Sequence, residues 1–293
     1  MKAFIRYGAI FVILLIVALG GSILLKSENI DDSEHGLQKT TLNLESFYND
    51  KSEYDSAFQN TSDINKQKII AGIISHHFLA KDLIAQFFSG IDSENIKNVY
   101  IIGPDHYESL SREDSDVATS KLDWNTPYGV LRTDREVIDN LENQINLNIK
   151  DVIFRNEHSI YTLIPFVKKT FPDAKVTPLV LKTSRDYQRF YNFGRLSYRD
   201  DSLLIVSSDF SHNVNEKKAY ENDTNSIRSL VSSDLANIDS IESDCKQCIA
   251  FLYGFLSHRP NKFHFMDNKT SADFGSENEE NLTSFISAYY IPD

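Results

Sequence analysis

From residue 69 onward, short apolar runs alternate with amphipathic ones. IIAGII (69–74), NVYIIG (98–103), KVTPLVLK (175–182) and SLLIVSS (202–208) are short and rich in Ile, Val and Leu, the pattern of strands buried on both faces. Between them, LAKDLIAQFFSGI (79–91), REVIDNLENQ (135–144), YTLIPFVKKTF (161–171), DYQRFYNFGRLSY (186–198) and KKAYENDTNSIRSLVSSDL (217–235) carry helical periodicity. This alternation predicts a three-layer α/β/α domain with a mainly parallel or mixed central sheet. KFHFMDNKTS (262–271) and NLTSFISAYYIPD (281–293) flank a polar stretch and suit an antiparallel edge pair. No internal repeat is present, so residues 67–293 read as one domain.

The N-terminus departs from this pattern. Residues 7–25 are uncharged and mostly apolar, close to the length of about 20 residues that spans a bilayer, and Lys2 and Arg6 precede them. An acidic segment follows, so the positive-inside rule places the N-terminus in the cytoplasm and the main domain outside the membrane. A single-pass transmembrane signal-anchor over residues 1–26 is the expectation. The rival is a secretory signal cleaved after Gly20, which would release the domain. Residues 27–66 are polar and read as a tether with one short helix near 44–58.

Composition narrows the function. The hydrophobic fraction of 41% suffices for a core, and the formal charge of −12 opposes binding to nucleic acid, which needs a basic footprint. No Lys/Arg stripe is present. Partners are therefore expected among small molecules or peptides, with the membrane reached through the N-terminal helix.

The chemistry-bearing residues cluster in four segments: GIISHHFLA (72–80), VYIIGPDHYES (99–109), FRNEHSIYTLIPF (154–166) and LLIVSSDFSHN (203–213). In three of them a strand-like run ends in Gly, Pro, Ser or Asp and then His. Each imidazole then sits just past the C-terminal end of a strand, where open α/β sheets bind ligands. Neutral imidazole is the commonest metal ligand, so His76 (with His77 as competitor) and His106 are candidate ligands. Asp105 doubles as a turn or cap residue. His158, beside Glu157, is either a substrate-binding imidazole oriented by that carboxylate or part of a helix cap. Asp209 and His212 are three apart, a spacing that lets the carboxylate orient the imidazole as a general base if a helical turn begins there. Ser208 with His212 and Asp209 spells a hydrolase triad, but no Gly-x-Ser-x-Gly elbow presents the serine. Cys245 and Cys248 form a C-x-x-C pair before an apolar helix. They suit a disulfide or redox pair, or one of them completes a metal site with two histidines.

Together these segments resemble the Memo family, also called AmmeMemoRadiSam system protein B. The resemblance rests on Ser75-His76-His77, Gly103-Pro104-Asp105-His106, Thr126-Pro127-Tyr128-Gly129, Glu157-His158-Ser159 with Pro165-Phe166, Ser207 to His212, and Asp244-Cys245, in that order along residues 70–255. Tyr161 stands where the family pattern has Glu, and Cys248 is additional. The resemblance implies a fold similar to class III extradiol dioxygenases and metal ligands at His76, His106 and Cys245, with Asp209 and His212 beside them. In those dioxygenases a carboxylate takes the third position, and a thiolate there binds iron(II) or copper more softly. A Cys245–Cys248 disulfide would abolish the thiolate ligand. The leading expectation is a membrane-anchored, Memo-like metal-binding protein with a non-haem iron or copper site and dioxygenase-like oxidoreductase chemistry, in which His212, Asp209 and His158 handle protons. The alternatives are a non-enzymatic ligand- or peptide-binding module using the same cleft, and a hydrolase using Ser208 or zinc-bound water.

Overall fold

The computed structural model describes residues 42–61, 64–276, 278 and 280–293. The apolar segment 7–25 and residues 27–41 of the polar stretch that follows lie outside the described residues. Among the described residues, no helix is long and apolar enough to cross a membrane.

The strands are β1 (Leu44–Glu45), β2 (Ala71–Ile74), β3 (Asn98–Pro104), β4 (Val117–Thr119), β5 (Trp124–Thr126), β6 (Gly129–Leu131), β7 (Leu147–Ile149), β8 (Lys175–Leu181), β9 (Ser202–Ser207), β10 (Asn261–Thr270) and β11 (Ser284–Pro292). The main sheet runs β10-β11-β2-β9-β3-β8-β4-β7. Its centre, β2-β9-β3-β8, is parallel, whereas β10, β11 and β4 pair antiparallel to their inner neighbours. The sheet is therefore mixed, and the C-terminal pair forms the antiparallel edge that its apolar pattern suggests.

The helices are α1 (Lys51–Gln59), α2 (Lys81–Ser89), α3 (Arg135–Glu142), α4 (Asp151–Phe154), α5 (His158–Tyr161), α6 (Ile164–Thr170), α7 (Tyr187–Ser197), α8 (Glu216–Ser232) and α9 (Lys246–Leu256). Alternate residues of the central strands feed opposite cores, because successive strand side chains point to opposite faces. Val99 and Ile101 of β3 pack with Phe87 and Phe88 of α2 and Phe166 of α6. Tyr100 and Ile102 pack with Phe190 of α7 and Phe251 of α9. The apolar faces of these helices have nowhere else to be buried, and three layers follow.

The domain starts earlier than residue 67. Leu44, Tyr54 and Ala57 are buried in the core, and β1 pairs with β5 to open a small second sheet, β1-β5-β6. Lys169 on α6 pairs with Asp55 of α1, and the Tyr128 hydroxyl donates to the same carboxylate at 2.7 Å. A segment that reads as a polar tether thus buries enough apolar surface at three positions to dock on the domain.

Helix α9 lies unusually close to α7. A Cβ on Gly254 would stand 1.8 Å from the carbonyl oxygen of Tyr191, and one on Gly194 would stand 1.9 Å from that of Phe251. The two glycines let the helix backbones touch, and this contact sets the height of the loop that enters α9. Gly254→Ala is expected to cost about 1–3 kcal/mol, the range for overpacking a filled interior. Chemical denaturation checks it; an unchanged midpoint would contradict so close an approach.

Candidate metal centre

Three adjacent parallel strands end side by side at this site. β2 delivers Ser75 and His76, β9 delivers Ser208 and Asp209, and β3 delivers Asp105 and His106. Each turn is fixed locally. The Ser75 hydroxyl accepts the backbone N–H of His77 at 2.9 Å. Asp105 accepts the N–H groups of Ser109 and Leu110 at 2.9 and 2.7 Å, so its carboxylate shapes the turn after β3. Gly103 leaves room for α5, since a Cβ there would meet Ser159 Oγ at 2.5 Å. That close approach sets His158 over His106, with ring centroids 4.0 Å apart and planes 26° from parallel.

Glu157 ties the pieces together. It is fully buried, caps α5 by accepting the N–H of Ser159 at 3.0 Å, and accepts from His106 Nδ1 at 2.7 Å and from the His106 backbone N–H at 3.1 Å. Burial works against its charge, yet these hydrogen bonds hold its pKa below the ordinary value. The carboxylate beside His158 in sequence therefore orients His106; its distance to His158 Nδ1 is 3.7 Å.

With Nδ1 of His106 engaged by Glu157, Nε2 is the nitrogen left for a ligand, and it stands 3.7 Å from Asp244 Oδ2. His76 follows the same logic. Ser207 donates its hydroxyl to the Ser159 carbonyl, so toward His76 Nδ1, 3.2 Å away, it acts as the acceptor. Nδ1 then carries the hydrogen, and Nε2 presents a lone pair. Burial lowers the pKa of His76 to about 3, and the neighbouring carboxylates do not reverse this. Its Nε2 faces Asp209 Oδ2 at 3.6 Å and Asp244 Oδ2 at 3.5 Å.

His76 Nε2 and one oxygen of each carboxylate therefore face one another across the site. Oδ1 of Asp209 is also buried without a hydrogen-bond partner, and burial raises the pKa of this carboxyl. Such a meeting of acceptors is unfavourable unless a proton or a cation joins them. Ligand atoms held tetrahedrally at usual bond lengths lie about 3.3–3.6 Å apart, which matches the separations around His76. Metal-ligating atoms of His76, His106 and His158 lie within 4.8 Å of one another, as do those of His76, Asp209 and Asp244.

Two sequence-based assignments need correction. Cys245 and Cys248 are joined in a buried disulfide at the start of α9, so Cys245 has no thiolate to offer. Asp244, one residue earlier, turns into the site instead, held by Ser208 Oγ at 2.7 Å. No helical turn begins at Asp209; residues 208–212 are extended loop, His212 is exposed, and Asp209 points to His76 rather than to His212. His212 thus lacks its orienting partner. The Ser208 hydroxyl engages Asp244 and Ser243, not an imidazole, which leaves the serine-hydrolase triad unassembled. His77 turns away to cap the 78–80 turn. Thr126 to Gly129 form the β5–β6 hairpin, where Tyr128 braces Asp55. Asp244 is the residue that sequence reasoning missed; its signal was an acidic side chain directly before an apolar helix and next to a family-matched cysteine.

His106 makes the metal-free site sensitive to pH. Burial disfavours its charge, but the carboxylates of Asp244 and Glu157 outweigh this and raise its pKa to about 9. A raised histidine stabilises the fold fully below its unfolded pKa of about 6.5, and that contribution is lost as pH rises through about 9. The Tm of chelator-treated protein is expected to fall across this window, and His106→Asn to flatten the fall. Equal slopes in wild type and variant would contradict the assignment.

Comparison with known proteins places the chain. A family model described as Memo-like protein matches residues 38–283. A MEMO1 family protein of Pyrobaculum aerophilum is 28% identical over 188 residues, covering 59% of this chain and 64% of that protein. One of Methanococcoides burtonii is 28% identical over 197 residues, covering 64% and 72%, and one of Thermoplasma acidophilum is 25% identical over 207 residues, covering 66% and 74%. The matched segment thus spans just under two thirds of the Pyrobaculum protein and somewhat more of the other two. With most of its length matched by the family model, and the strand-end histidines falling within the match, the chain belongs to the Memo-like protein family.

Proposed function

We propose that the chain is a membrane-anchored metalloprotein whose centre holds non-haem iron and serves oxidoreductase chemistry on a small molecule. The observation that carries this reading is the convergence of His76 Nε2, Asp209 and Asp244 on one buried point, with His106 Nε2 beside Asp244. Two imidazoles and a carboxylate are the donor set of non-haem iron(II) centres with open positions. With both cysteines in a disulfide, a soft copper-thiolate site has less support. His76, His106 and Asp244 would hold the ion, and Asp209 would complete or adjust the set. When bound, iron supplies an open coordination position and a one-electron couple.

The chain's own residues supply the rest. Glu157 keeps the Nδ1 hydrogen on His106, and Ser207 does so on His76, which leaves both Nε2 atoms to face the ion. His158 takes the proton-handling role. Its pKa is lowered, chiefly by burial, which favours the neutral ring. Stacked over His106, it would accept a proton from a bound hydroxyl or from water. The anchor and the extracytoplasmic placement rest on the apolar segment 7–25, and a disulfide suits an oxidising compartment.

Elemental analysis of the full chain, prepared from the membrane fraction, tests this. Near-stoichiometric iron is expected in wild type and in Cys245→Ser/Cys248→Ser. At least a tenfold loss is expected in His76→Ala and in Asp244→Asn, the latter keeping the hydrogen bond from Ser208. Full occupancy in Asp244→Asn, or iron lost on cysteine replacement alone, would overturn the ligand set. A chain that leaves the membrane on alkaline washing would overturn the anchor.

A further inference from the structure

The metal centre lies at the carboxyl ends of the central strands; their amino ends border a second cavity, of about 160 Å³. Its floor is Ser202, the first residue of β9, with Ile70 just before β2. Ser202 stands roughly 20 Å along the strand from Ser208, so the two sites open on opposite edges of the sheet. Ser202 and its register partner on β3, Asn98, point to the face that carries Leu204 and Tyr100, the face that α7 and α9 cover. The segments leaving those two helices supply a wall. The Tyr198 ring stacks on that of His258 at 4.6 Å and 9°, and Tyr198 and Arg259 both line the space. The turn 92–96 completes the lining.

The floor is polar and unsatisfied. Ser202 is only 8% exposed, its Oγ is buried without a hydrogen-bond partner, and Oδ1 of Asn98 beside it also lacks one. A buried hydroxyl left unpaired is costly, so the cavity favours an occupant that bonds to it. The rim carries both signs of charge. Lys68 and Arg259 line it together with Asp92, Glu94 and Asp200, and among the described residues none of these enters an ion pair, whereas Arg199 and Asp201 of the same rim are joined at 3.2 Å. Asp200 already accepts from the Tyr198 hydroxyl at 3.0 Å. A simple anion would meet the remaining carboxylates, and a simple cation the lysine and arginine; a molecule that bears both charges pairs with each. Size sets the upper limit. At roughly 30 Å³ per water the space equals about five waters, too little for a nucleotide or a sugar chain.

We infer that this cavity binds a small zwitterion, namely a free α-amino acid with a short side chain. Lys68, Arg259 and the Ser202 hydroxyl receive its carboxylate, and Asp92 and Glu94 its ammonium. The site shares no residue with the metal centre and needs no ion.

Equilibrium dialysis of the detergent-solubilised full chain against an equimolar mixture of the standard L-amino acids tests this, with the retained species identified by mass spectrometry against a protein-free detergent blank. Retention of one small amino acid, or a few, is expected. Its amide and its N-acetyl derivative each lack one charge and should bind at least about fivefold more weakly. Arg259→Gln, at an exposed position, should weaken retention by a similar factor. Ser202→Ala should do so too, while leaving the melting temperature of the ligand-free chain unchanged or raised, because it removes an unpaired polar atom from the interior. His106→Ala should lose iron and keep the amino acid. No retention above the blank, equal binding of the amide or of the N-acetyl form, or equal retention in wild type and Arg259→Gln/Ser202→Ala would overturn the site. So would loss of the amino acid in His106→Ala, which would move it to the metal centre.

Discussion

A carboxylate with no exposure to water must be surrounded by donors, and at Glu157 that demand organises the whole site. Its donors come from two elements far apart in sequence: the turn after β3 and the first turn of α5. Once they are joined, His106 has one tautomer and one orientation, and His158 is stacked above it. Gly103 is the steric counterpart, because only a residue without Cβ lets Ser159 come so close to the end of β3. The same short helix then reaches β9, through the hydroxyl of Ser207 that also sets the hydrogen on His76. One buried charge and one missing side chain thus align groups from β2, β9, β3 and α5.

The sheet supplies the rest of the placement. β9 lies between β2 and β3, all three parallel, so their C-terminal ends open on the same edge and their first loop residues are neighbours. The fourth contributor comes from the helical layer. Helix α9 packs backbone to backbone on α7 through Gly194 and Gly254, and the loop before it brings Asp244 over the strand ends. The Cys245–Cys248 bond then closes the first turn of α9 immediately after Asp244. In this family member the sulfur atoms brace the loop, and the oxygen one residue earlier faces the histidines.

Much of this was legible along the chain because it depends on short-range pattern. Continuous Ile/Val/Leu runs marked β2, β3, β8 and β9, and a histidine or aspartate just past three of them marked the edge of the sheet. What stayed hidden depends on contacts distant in sequence. The strands β4 to β7 have three residues each and lie in a polar stretch, too short for any periodicity to emerge. Residues 42–59 look like a tether because their docking residues, Leu44, Tyr48, Tyr54, Ala57 and Phe58, are spaced among polar ones. The pairing of Glu157 with His106 rather than His158 crosses 51 positions of sequence, so adjacency misled. Asp209 and His212 sit at helical spacing but on an extended loop, and spacing without its helix orients nothing. Asp244 could not be told from its acidic neighbours until the fold turned it inward.

We propose that nitrogen and oxygen, not sulfur, hold the ion, although the family resemblance points to a cysteine. X-ray absorption at the metal edge of the loaded full chain addresses this directly, because sulfur and light-atom neighbours scatter at different distances. A shell of nitrogen and oxygen atoms at about 2.0–2.2 Å, with imidazole scattering beyond it, is expected. A sulfur neighbour at about 2.3 Å would contradict it, and would mean that the disulfide opens to give Cys245 to the metal.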